Sequence, residues 1–246
     1  PMSSPQGIVA DHDGIAGEVY VSDTGNNRLL AYSQSGQFLA VVGGPGSGAG
    51  QYLAPKGLSR AFAGHIAVVD SGNRRIQLIQ PAQQLGPPYG VPSTQPPFGD
   101  ASRLSSPAAI VADPEVTGCY YIADEGRSQV IVYDSNGEWR RNIGALGFIN
   151  PGQFFGPQGI DIVTDAGGTG LLVADTRNDR IQRFAMSSST WYMSSSPQVT
   201  VVGSSGYGRG RLMKPADIAA LPGGDVLVAD TGGNRVVRFG YDATRP

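Results

Sequence analysis

The chain has 246 residues, 36 of them glycine and 18 proline, and its net charge of −2 disfavours a diffuse basic surface for nucleic acid. Only two lysines and four glutamates are present, so the charged residues that best support helices are nearly absent and a helical architecture is disfavoured. A single cysteine, Cys119, excludes an internal disulfide framework, and no apolar run approaches the roughly eighteen residues that cross a bilayer.

The chain contains five similar segments. In chain order they read VYVSDTGNNRLLAY, IAVVDSGNRRIQLI, YYIADEGRSQVIVY, LLVADTRNDRIQRF and VLVADTGGNRVVRF. Each carries an aspartate at the same place, namely Asp23, Asp70, Asp124, Asp175 and Asp230. Successive aspartates are 47, 54, 51 and 55 residues apart. A second element, Pro-x-x-(Ile/Leu), precedes each segment and begins at Pro5, Pro55, Pro107, Pro157 and Pro215. Because these two elements recur together five times in the same order, they indicate an internal repeat.

Each unit of the repeat predicts four short strands. The first strand follows Pro-x-x-Ile, and the second alternates apolar residues and ends at the aspartate. The third strand starts a few residues later, as at 28–32, and a fourth is visible at 37–43, 138–144 and 198–203. Four antiparallel strands in about fifty residues are typical of a propeller blade. We therefore predict an all-β, single-domain β-propeller over residues 1–246, with units at approximately 5–50, 51–103, 104–152, 153–210 and 211–246.

Two units depart from this pattern. Residues 80–107 are rich in proline, which predicts extended, solvated chain in place of a clean fourth strand in the second blade. The last unit stops after its third strand, so the fifth blade is predicted to be incomplete. Either a five-bladed ring closes with a three-stranded last blade, or chain outside this segment completes a larger ring. An unpaired third strand at 236–239 would be an exposed edge that accepts a strand from elsewhere.

The repeated aspartate is interpreted as structural. At the end of the second strand, its carboxylate is placed to accept hydrogen bonds from exposed amides of the following turn. An arginine five positions on is placed to pair with the aspartate or with a neighbouring blade, and these arginines are Arg28, Arg75, Arg180 and Arg235. Gln129 replaces the arginine in the third unit. Because a scaffold needs the motif in every blade whereas chemistry needs one site, the repetition favours structure over catalysis.

The recurring pattern resembles one family of β-propellers. Pro-x-Gly-Ile, then (Val/Leu)-x-Val-Ala-Asp, then Asn-x-Arg-(Ile/Val)-x-x-Phe is similar to the NHL repeat, and the resemblance extends over residues 5–240. It implies a propeller that typically has six blades, whereas five units are present here. Because propellers host many unrelated activities, the resemblance predicts the fold far better than the function.

The resemblance also implies where an enzyme of this family would hold its metal. In the peptidyl-amidoglycolate lyase, zinc-binding histidines occupy the variable position of the Pro-x-Gly element. The matching positions here are Gln6, Lys56, Ala108, Gln158 and Ala216. His12 and His65 are the two histidines of the sequence, and that zinc site needs one more. We therefore predict no lyase-type zinc site, no other metal site and no cofactor.

Positions that differ between the blades indicate a binding surface, because loops on a rigid scaffold carry specificity. By the family resemblance, the turns after the aspartates share a face with the mouth of the central channel. The charged residues there are predicted to form a recognition patch of Lys56, Glu125, Arg127 and Arg177, with Gln6 and Gln158 at the same mouth. Trp191 and Tyr192 stand in a serine-rich loop, where they either anchor a partner or pack back onto the blade.

These features favour a non-enzymatic interaction or scaffold module that binds a protein, or a glycan, through loops on the propeller face. The alternative is a hydrolase or lyase with its site at the channel mouth, which a convergent histidine, acid or bound metal there would favour. RNA binding is disfavoured because the paired arginines are offset by 16 aspartates and lack interleaved aromatic residues. The expected partners are a protein or neighbouring segments of a larger assembly, without membrane insertion. Composition weakly favours an extracellular or cell-surface location.

Overall fold

The structure is a computed structural model that describes residues 1–10, 17–81, 91–93, 95–113, 117–186 and 198–240. The described residues form β-strands joined by turns and single 3-10 turns, arranged as a propeller of five blades. This confirms the predicted fold class. Within these ranges no helix is long and apolar enough to cross a membrane.

The first two blades and the connector between them occupy residues 7–92. The first blade pairs its strands in chain order, β1 (Gly7–Ala10), β2 (Glu18–Asp23), β3 (Arg28–Ser33) and β4 (Phe38–Val42). The connector contains a short parallel pair, β5 (Gly44–Pro45) and β6 (Gln51–Tyr52). The second blade contains β7 (Pro55–Arg60), β8 (Ile66–Asp70), β9 (Arg75–Gln80) and β10 (Val91–Pro92).

The third and fourth blades repeat this arrangement. The third blade contains β11 (Pro107–Asp113), β12 (Cys119–Asp124), β13 (Gln129–Asp134) and β14 (Trp139–Ile143). Its connector to the fourth blade again holds a parallel pair, β15 (Ala145–Leu146) and β16 (Gln153–Phe154). The fourth blade contains β17 (Ile160–Asp165), β18 (Gly168–Asp175), β19 (Arg180–Ala185) and β20 (Val199–Val202).

The fifth blade has three strands in the described part of the chain, β21 (Pro215–Ala220), β22 (Val226–Asp230) and β23 (Arg235–Phe239). The incomplete last blade agrees with the prediction, and the outer edge of β23 has no partner strand among the described residues. The described residues of the proline-rich segment are not solvated throughout, which departs from the prediction. Its strand β10 has two residues, and Phe98 then bridges back to Ile76 and packs against Tyr120 and Tyr133 in the core.

The turn between the second and third strands follows one local design. A 3-10 turn joins the two strands in four blades, at Thr24–Asn26, Ser71–Asn73, Thr176–Asn178 and Thr231–Gly233. A residue with positive φ closes each turn, for example Asn27 at 54° and Asn234 at 50°. Asparagine tolerates this left-handed conformation better than most residues do. A further 3-10 turn, Phe62–Gly64, joins β7 to β8.

The hydrophobic core is divided among the junctions between successive blades. Strands β1, β7, β11, β17 and β21 form the inner layer, and each packs beside the next in that order. Four clusters of buried apolar side chains join blade 1 to blade 2, blade 2 to blade 3, blade 3 to blade 4, and blade 4 to blade 5. In the part of the chain that the structure describes, no such cluster joins blade 5 to blade 1.

Candidate functional site

The repeated aspartate is the centre of a buried hydrogen-bond network. In the second blade, Asp70 accepts the backbone amide of Leu53 at 2.7 Å and the Nε of Arg75 at 2.7 Å. The side-chain amides of Asn73 and Gln77 also donate to it, at 2.9 and 3.0 Å. Leu53 belongs to the connector that enters this blade, so one carboxylate fixes the connector, the turn and the third strand together.

The other blades share this arrangement. The aspartates of all five blades have 0% exposure. Ion pairs of 2.7–2.8 Å join Asp23 to Arg28, Asp175 to Arg180 and Asp230 to Arg235. Burial alone would raise the pKa of Asp23, but hydrogen bonds from the Ser3 amide, Asn26 and Arg28 outweigh it and hold that pKa below its ordinary value.

Each arginine also holds the connector that precedes its blade. The Nη atoms of Arg75 donate to the carbonyl oxygens of Ser47 and Gly48, at 2.6 and 2.8 Å. Arg180 contacts the connector before blade 4 in the same way, and its Nη1 donates to the Ile149 carbonyl at 2.9 Å. The guanidinium fork therefore shapes the exposed connectors, which are the loops available for recognition.

In the third blade the repeated aspartate is bound without an arginine. Asp124 accepts the backbone amides of Ser105 at 2.7 Å and Arg127 at 3.0 Å, while Gln129 donates to the Gly144 carbonyl at 3.0 Å. The sequence predicted that amides of the following turn would bind the aspartate in every unit. That contact is made by a backbone amide here, whereas asparagine and arginine side chains make it in the second and fourth blades.

The turns and connectors lie on one face. Because successive strands of a blade run in opposite directions, the second-to-third-strand turn and the connector leaving the fourth strand meet at the same end of the blade. We call this the connector face. Glu125 and Arg177 lie on this face, because Glu125 directly follows Asp124 and Arg177 is the second residue after Asp175.

A cleft opens on the connector face between blades 3 and 4. It has a volume of about 380 Å³, and its lining includes Glu125, Arg177, Phe155 and Leu146. Arg177 Nη2 donates to the Glu125 carboxylate at 2.8 Å across the cleft, and its guanidinium lies 5.2 Å from the ring centre of Phe155. The Arg177 side chain is 51% exposed, so this charged pair remains accessible to a ligand.

The connector that borders this cleft carries exposed apolar side chains. In the connector 145–152, Leu146 is 60% exposed, Phe148 61% and Ile149 82%. Phe148 packs edge-on against Phe155 with ring centres 4.9 Å apart. These residues are not among the predicted binding positions. A signal was present, because the connectors 43–50 and 203–211 consist mainly of glycine and small or polar residues, whereas this one reads ALGFINPG.

The structure brings together two of the four residues of the predicted charged patch. Glu125 and Arg177 form an ion pair, but Arg127 turns away and donates to the Ser102 carbonyl at 2.5 Å. Lys56 is the second residue of β7 and is absent from the cleft lining. Gln6 and Gln158 precede β1 and β17, where their backbone amides donate to the second strands of their own blades.

Two predicted positions lie outside the described residues. These are Trp191 and Tyr192 in the serine-rich loop, and their predicted role as partner anchors stays a prediction. Among the described residues, no group of three or more histidine, cysteine, aspartate or glutamate side chains is placed to hold a metal ion.

The inner strands carry two carboxyl groups of altered pKa. Removal from water raises the pKa of Asp161 on β17, although the backbone amides of Ala220 and Ile162 donate to its carboxylate at 2.7 and 2.8 Å. Partial desolvation and the charge of Asp161 also raise the pKa of Asp217 on β21, although this residue stays exposed to water. Both groups therefore favour the protonated state more than ordinary aspartates do.

Comparison with known proteins identifies the class of the fold. Residues 212–239 match the NHL repeat family. The match lies in the last repeat unit, and the five blades of one repeated design agree with the NHL-type propeller that the sequence resemblance predicted. A search of the curated proteins finds no match.

Several solved structures share the architecture at low sequence identity. An auxiliary nutrient binding protein from Bacteroides thetaiotaomicron VPI-5482 aligns with a TM-score of 0.68 and 12% identity, over 98% of this chain and 60% of that one. A chain of a nidogen/laminin complex aligns with a TM-score of 0.67 and 16% identity, over 100% and 79%. Catalytically inactive virginiamycin B lyase from Staphylococcus aureus, with quinupristin, aligns with a TM-score of 0.63 and 15% identity, over 97% and 67%. Because these neighbours include binding proteins and an enzyme, the likeness identifies the fold alone.

Proposed function

We propose that this propeller is a non-enzymatic interaction module that binds a protein through the connector face. The observation that carries the proposal is the set of exposed apolar side chains, Leu146, Phe148 and Ile149, in the connector that borders the cleft of the Glu125–Arg177 pair. Clustered apolar side chains rimmed by polar groups are a recurring property of protein-binding surfaces. The proposed ligand is an extended peptide segment with a large apolar side chain next to a charged one.

Each part of the cleft has a role in this proposal. The ring of Phe155, packed against Phe148, offers an apolar floor on which an incoming side chain loses contact with water. The accessible guanidinium of Arg177 offers a bidentate partner for a carboxylate of the ligand. The network around Asp175 and Arg180 holds the connector in place, so little conformational entropy is lost when the ligand binds.

The nutrient-binding and nidogen/laminin neighbours support a binding role, whereas the lyase neighbour supports the enzymatic alternative. We propose in addition that the protein acts outside the cytoplasm, an expectation that rests on composition. Neither proposal follows from the fold, because propellers of one architecture perform both kinds of task.

A random peptide library displayed on phage tests the proposed function directly. The immobilised 246-residue protein is expected to enrich peptides that carry an aromatic or aliphatic residue beside an acidic one. Their affinity should fall at least about tenfold in the double variant Phe148→Asp, Ile149→Asp, because two apolar contacts are replaced by charges. The matched control is Phe38→Asp, which changes a 52% exposed phenylalanine of blade 1.

Two results would contradict the proposal. The first is enrichment of peptides whose affinity is the same in the Phe148→Asp, Ile149→Asp variant and in the wild type. The second is a failure to enrich peptides while a glycan array gives saturable binding, which would favour the glycan alternative.

A further inference from the structure

Residues 203–214 lead from blade 4 to blade 5 across the connector face and carry a cluster of positive charge. The corresponding residues after blades 1 and 3, at 43–54 and 144–156, include no charged side chain. Residues 203–214 include three charged side chains and all are cationic, namely Arg209, Arg211 and Lys214. All three residues are exposed, and none forms an ion pair in the part of the chain that the structure describes. Their positive charge is therefore accessible to a ligand.

One shared hydrogen bond shows which residues of these three connectors correspond. In each connector a glycine amide donates to the carbonyl oxygen of a buried apolar residue, at 3.1, 2.9 and 3.0 Å. The three donor–acceptor pairs are Gly46 with Tyr52, Gly147 with Phe154, and Gly206 with Leu212. The residues directly before the three acceptors therefore hold one equivalent position, and they are Gln51, Gln153 and Arg211.

A glutamine at this position supplies an acceptor to a backbone amide of its own connector. Gln51 Oε1 accepts the amide of Gly48 at 3.0 Å, and Gln153 Oε1 accepts the amide of Asn150 at 3.3 Å. In both connectors the carbonyl of the same residue accepts the glutamine amide in return, at 3.1 and 3.2 Å. The two turns are therefore closed by their own polar groups.

Arginine replaces the glutamine in the connector between blades 4 and 5. The amide equivalent to that of Gly48 belongs to Gly208, whose carbonyl accepts the Arg211 amide at 3.1 Å. Because a guanidinium has no acceptor atom, the Gly208 amide has no acceptor among the described residues. Arg211 Nη1 instead donates to the Ser205 carbonyl at 2.8 Å, and a Cβ at Gly208 would stand 3.9 Å from Arg211 Nε. An N–H donor without an acceptor thus lies beside a cation, where the other two connectors hold a carboxamide oxygen.

Two carboxylates contact the same stretch of chain, and both are engaged by its backbone. Asp179 accepts the Lys214 amide and the Ser205 hydroxyl, each at 2.7 Å and on separate oxygen atoms. Asp230 accepts the Met213 amide at 2.5 Å and the arginine of its own blade at 2.8 Å. Since the arginine neutralises Asp230, three cations of the connector stand against one carboxylate and the region stays positive.

We propose that this stretch binds an anionic polysaccharide through its sulfate or carboxylate groups. One oxygen of such a group takes the place of the glutamine oxygen, where it accepts the Gly208 amide and meets the Arg211 guanidinium. Arg209 and Lys214 bind further anionic groups of the same chain. Tyr207 is 67% exposed and offers its ring to a sugar ring. The site is separate from the cleft between blades 3 and 4 and does not depend on the proposed function.

The composition of the stretch favours a polysaccharide over other polyanions. Its other large apolar side chains are covered, since Leu212 is 0% exposed and Met213 is half-buried. An acidic protein segment would find no group of exposed apolar side chains here, such as protein-binding surfaces have at their centre. A single-stranded nucleic acid stacks successive bases on several aromatic rings, and Tyr207 supplies one. Three cations and one ring fit a hydrophilic chain with repeated anionic groups.

Isothermal titration calorimetry of the 246-residue protein at low ionic strength tests this proposal. The probes are a heparin-derived hexasaccharide, which carries sulfate, and a galacturonate hexamer, which carries carboxylate alone. We expect saturable binding of at least one of them. Arg211→Gln should weaken it at least about tenfold, because a charge is lost and the new side-chain oxygen occupies the Gly208 amide. Arg211→Ala should weaken it only about threefold, because the amide stays open.

The matched control is Arg74→Gln. Arg74 is an exposed arginine in the turn after Asp70 on the same face, so this variant makes the same change of charge away from the site. Its affinity for the probes should stay within about twofold of the wild type. Arg211→Gln places the residue of the other two connectors at 211, so thermal unfolding should show an intact fold.

Four results would overturn the proposal. Neither probe binds, or Arg74→Gln costs as much affinity as Arg211→Gln, or Arg211→Gln and Arg211→Ala cost the same. The fourth is that polyglutamate of equal charge binds as tightly as the hexasaccharide and with the same loss in Arg211→Gln, which would make the occupant an acidic peptide. Peptides selected for the cleft should bind Arg211→Gln as they bind the wild type, so this proposal and the proposed function fail separately.

Discussion

The Nε of Arg180 lies 2.8 Å from the Asp175 carboxylate, and the two side chains are 9% and 0% exposed. The Arg235–Asp230 pair has the same distance, but the Arg235 side chain is 34% exposed. Both guanidinium groups also donate to carbonyl oxygens of the connector before their blade, so the difference between the two pairs lies in how fully the surrounding chain covers the arginine. The same sequence motif therefore places its ion pair in different dielectric surroundings.

Arg180→Ala should destabilise the protein more than Arg235→Ala does. Removal of Arg180 leaves a buried carboxylate without its cation, at a cost of about 3 kcal/mol in the free energy of unfolding. Removal of Arg235 should cost about 1 kcal/mol, since water reaches that site. Urea denaturation of both variants measures the difference, with the exposed Arg209→Ala as the surface control. Equal losses at 180 and 235 would contradict this account of burial.

Gly159→Ala should weaken the contact between blades 4 and 5. A Cβ at this position would stand 2.6 Å from the Asp217 Cα and 3.0 Å from the Ala216 carbonyl oxygen. Both are backbone atoms of the next inner strand, so relief requires movement of the strand itself, and we expect a loss of about 2 kcal/mol. In the control Gly44→Ala the new Cβ meets nothing within 4 Å. Thermal unfolding should leave this control near the wild type, and a matching loss would argue against a steric cause.

Asp217→Asn should stabilise the protein at neutral pH. The pKa of Asp217 is raised in the folded state by partial desolvation and by the charge of Asp161, so the ionised carboxylate disfavours folding by a small amount. Its unfavourable contribution appears as pH rises through the folded-state pKa and is absent below the unfolded-state value. The thermal midpoint of the variant should therefore exceed that of the wild type at pH 7 and coincide with it at pH 3. A gain that is the same at both pH values would show that charge is not its origin.

Cys119 should be unreactive in the folded protein. Its side chain is 1% exposed, and burial raises the pKa of the thiol, so neither access nor thiolate formation favours attack. Ellman's reagent is expected to detect no thiol under native conditions and one thiol per chain in 6 M guanidinium. Rapid native reaction would mean that β12 opens more readily than its packing suggests.

The repeat made most of the architecture predictable. The aspartates marked the ends of the second strands, and the loss of pattern after Phe239 predicted a last blade of three strands, the number that its described residues form. Exposure could not be predicted in this way. Ile8, Ile160 and Ile218 hold the same repeat position, but Ile8 is 69% exposed whereas the other two, which pack against a preceding blade, are 5% and 6% exposed.

The candidate site was less predictable than the fold. The Glu125–Arg177 pair joins turns of two different blades, so its distance depends on the angle between sheets, which no local pattern encodes. The apolar connector was readable, since Leu146, Phe148 and Ile149 stand where other connectors carry small or polar residues. Sequence comparison among the connectors of one chain would have found it.

Among the described residues, the apolar clusters join each blade to its neighbours in the chain, so the blades are coupled in a linear order. Each blade owes its cohesion to its immediate neighbours, so the free energy of unfolding should be approximately a sum of local terms, as in linear repeat proteins. The third blade is supported on both sides, whereas the first and fifth are supported on one. Hydrogen exchange should accordingly proceed inwards from the two ends, with the amides of β12 and β13 the last to open.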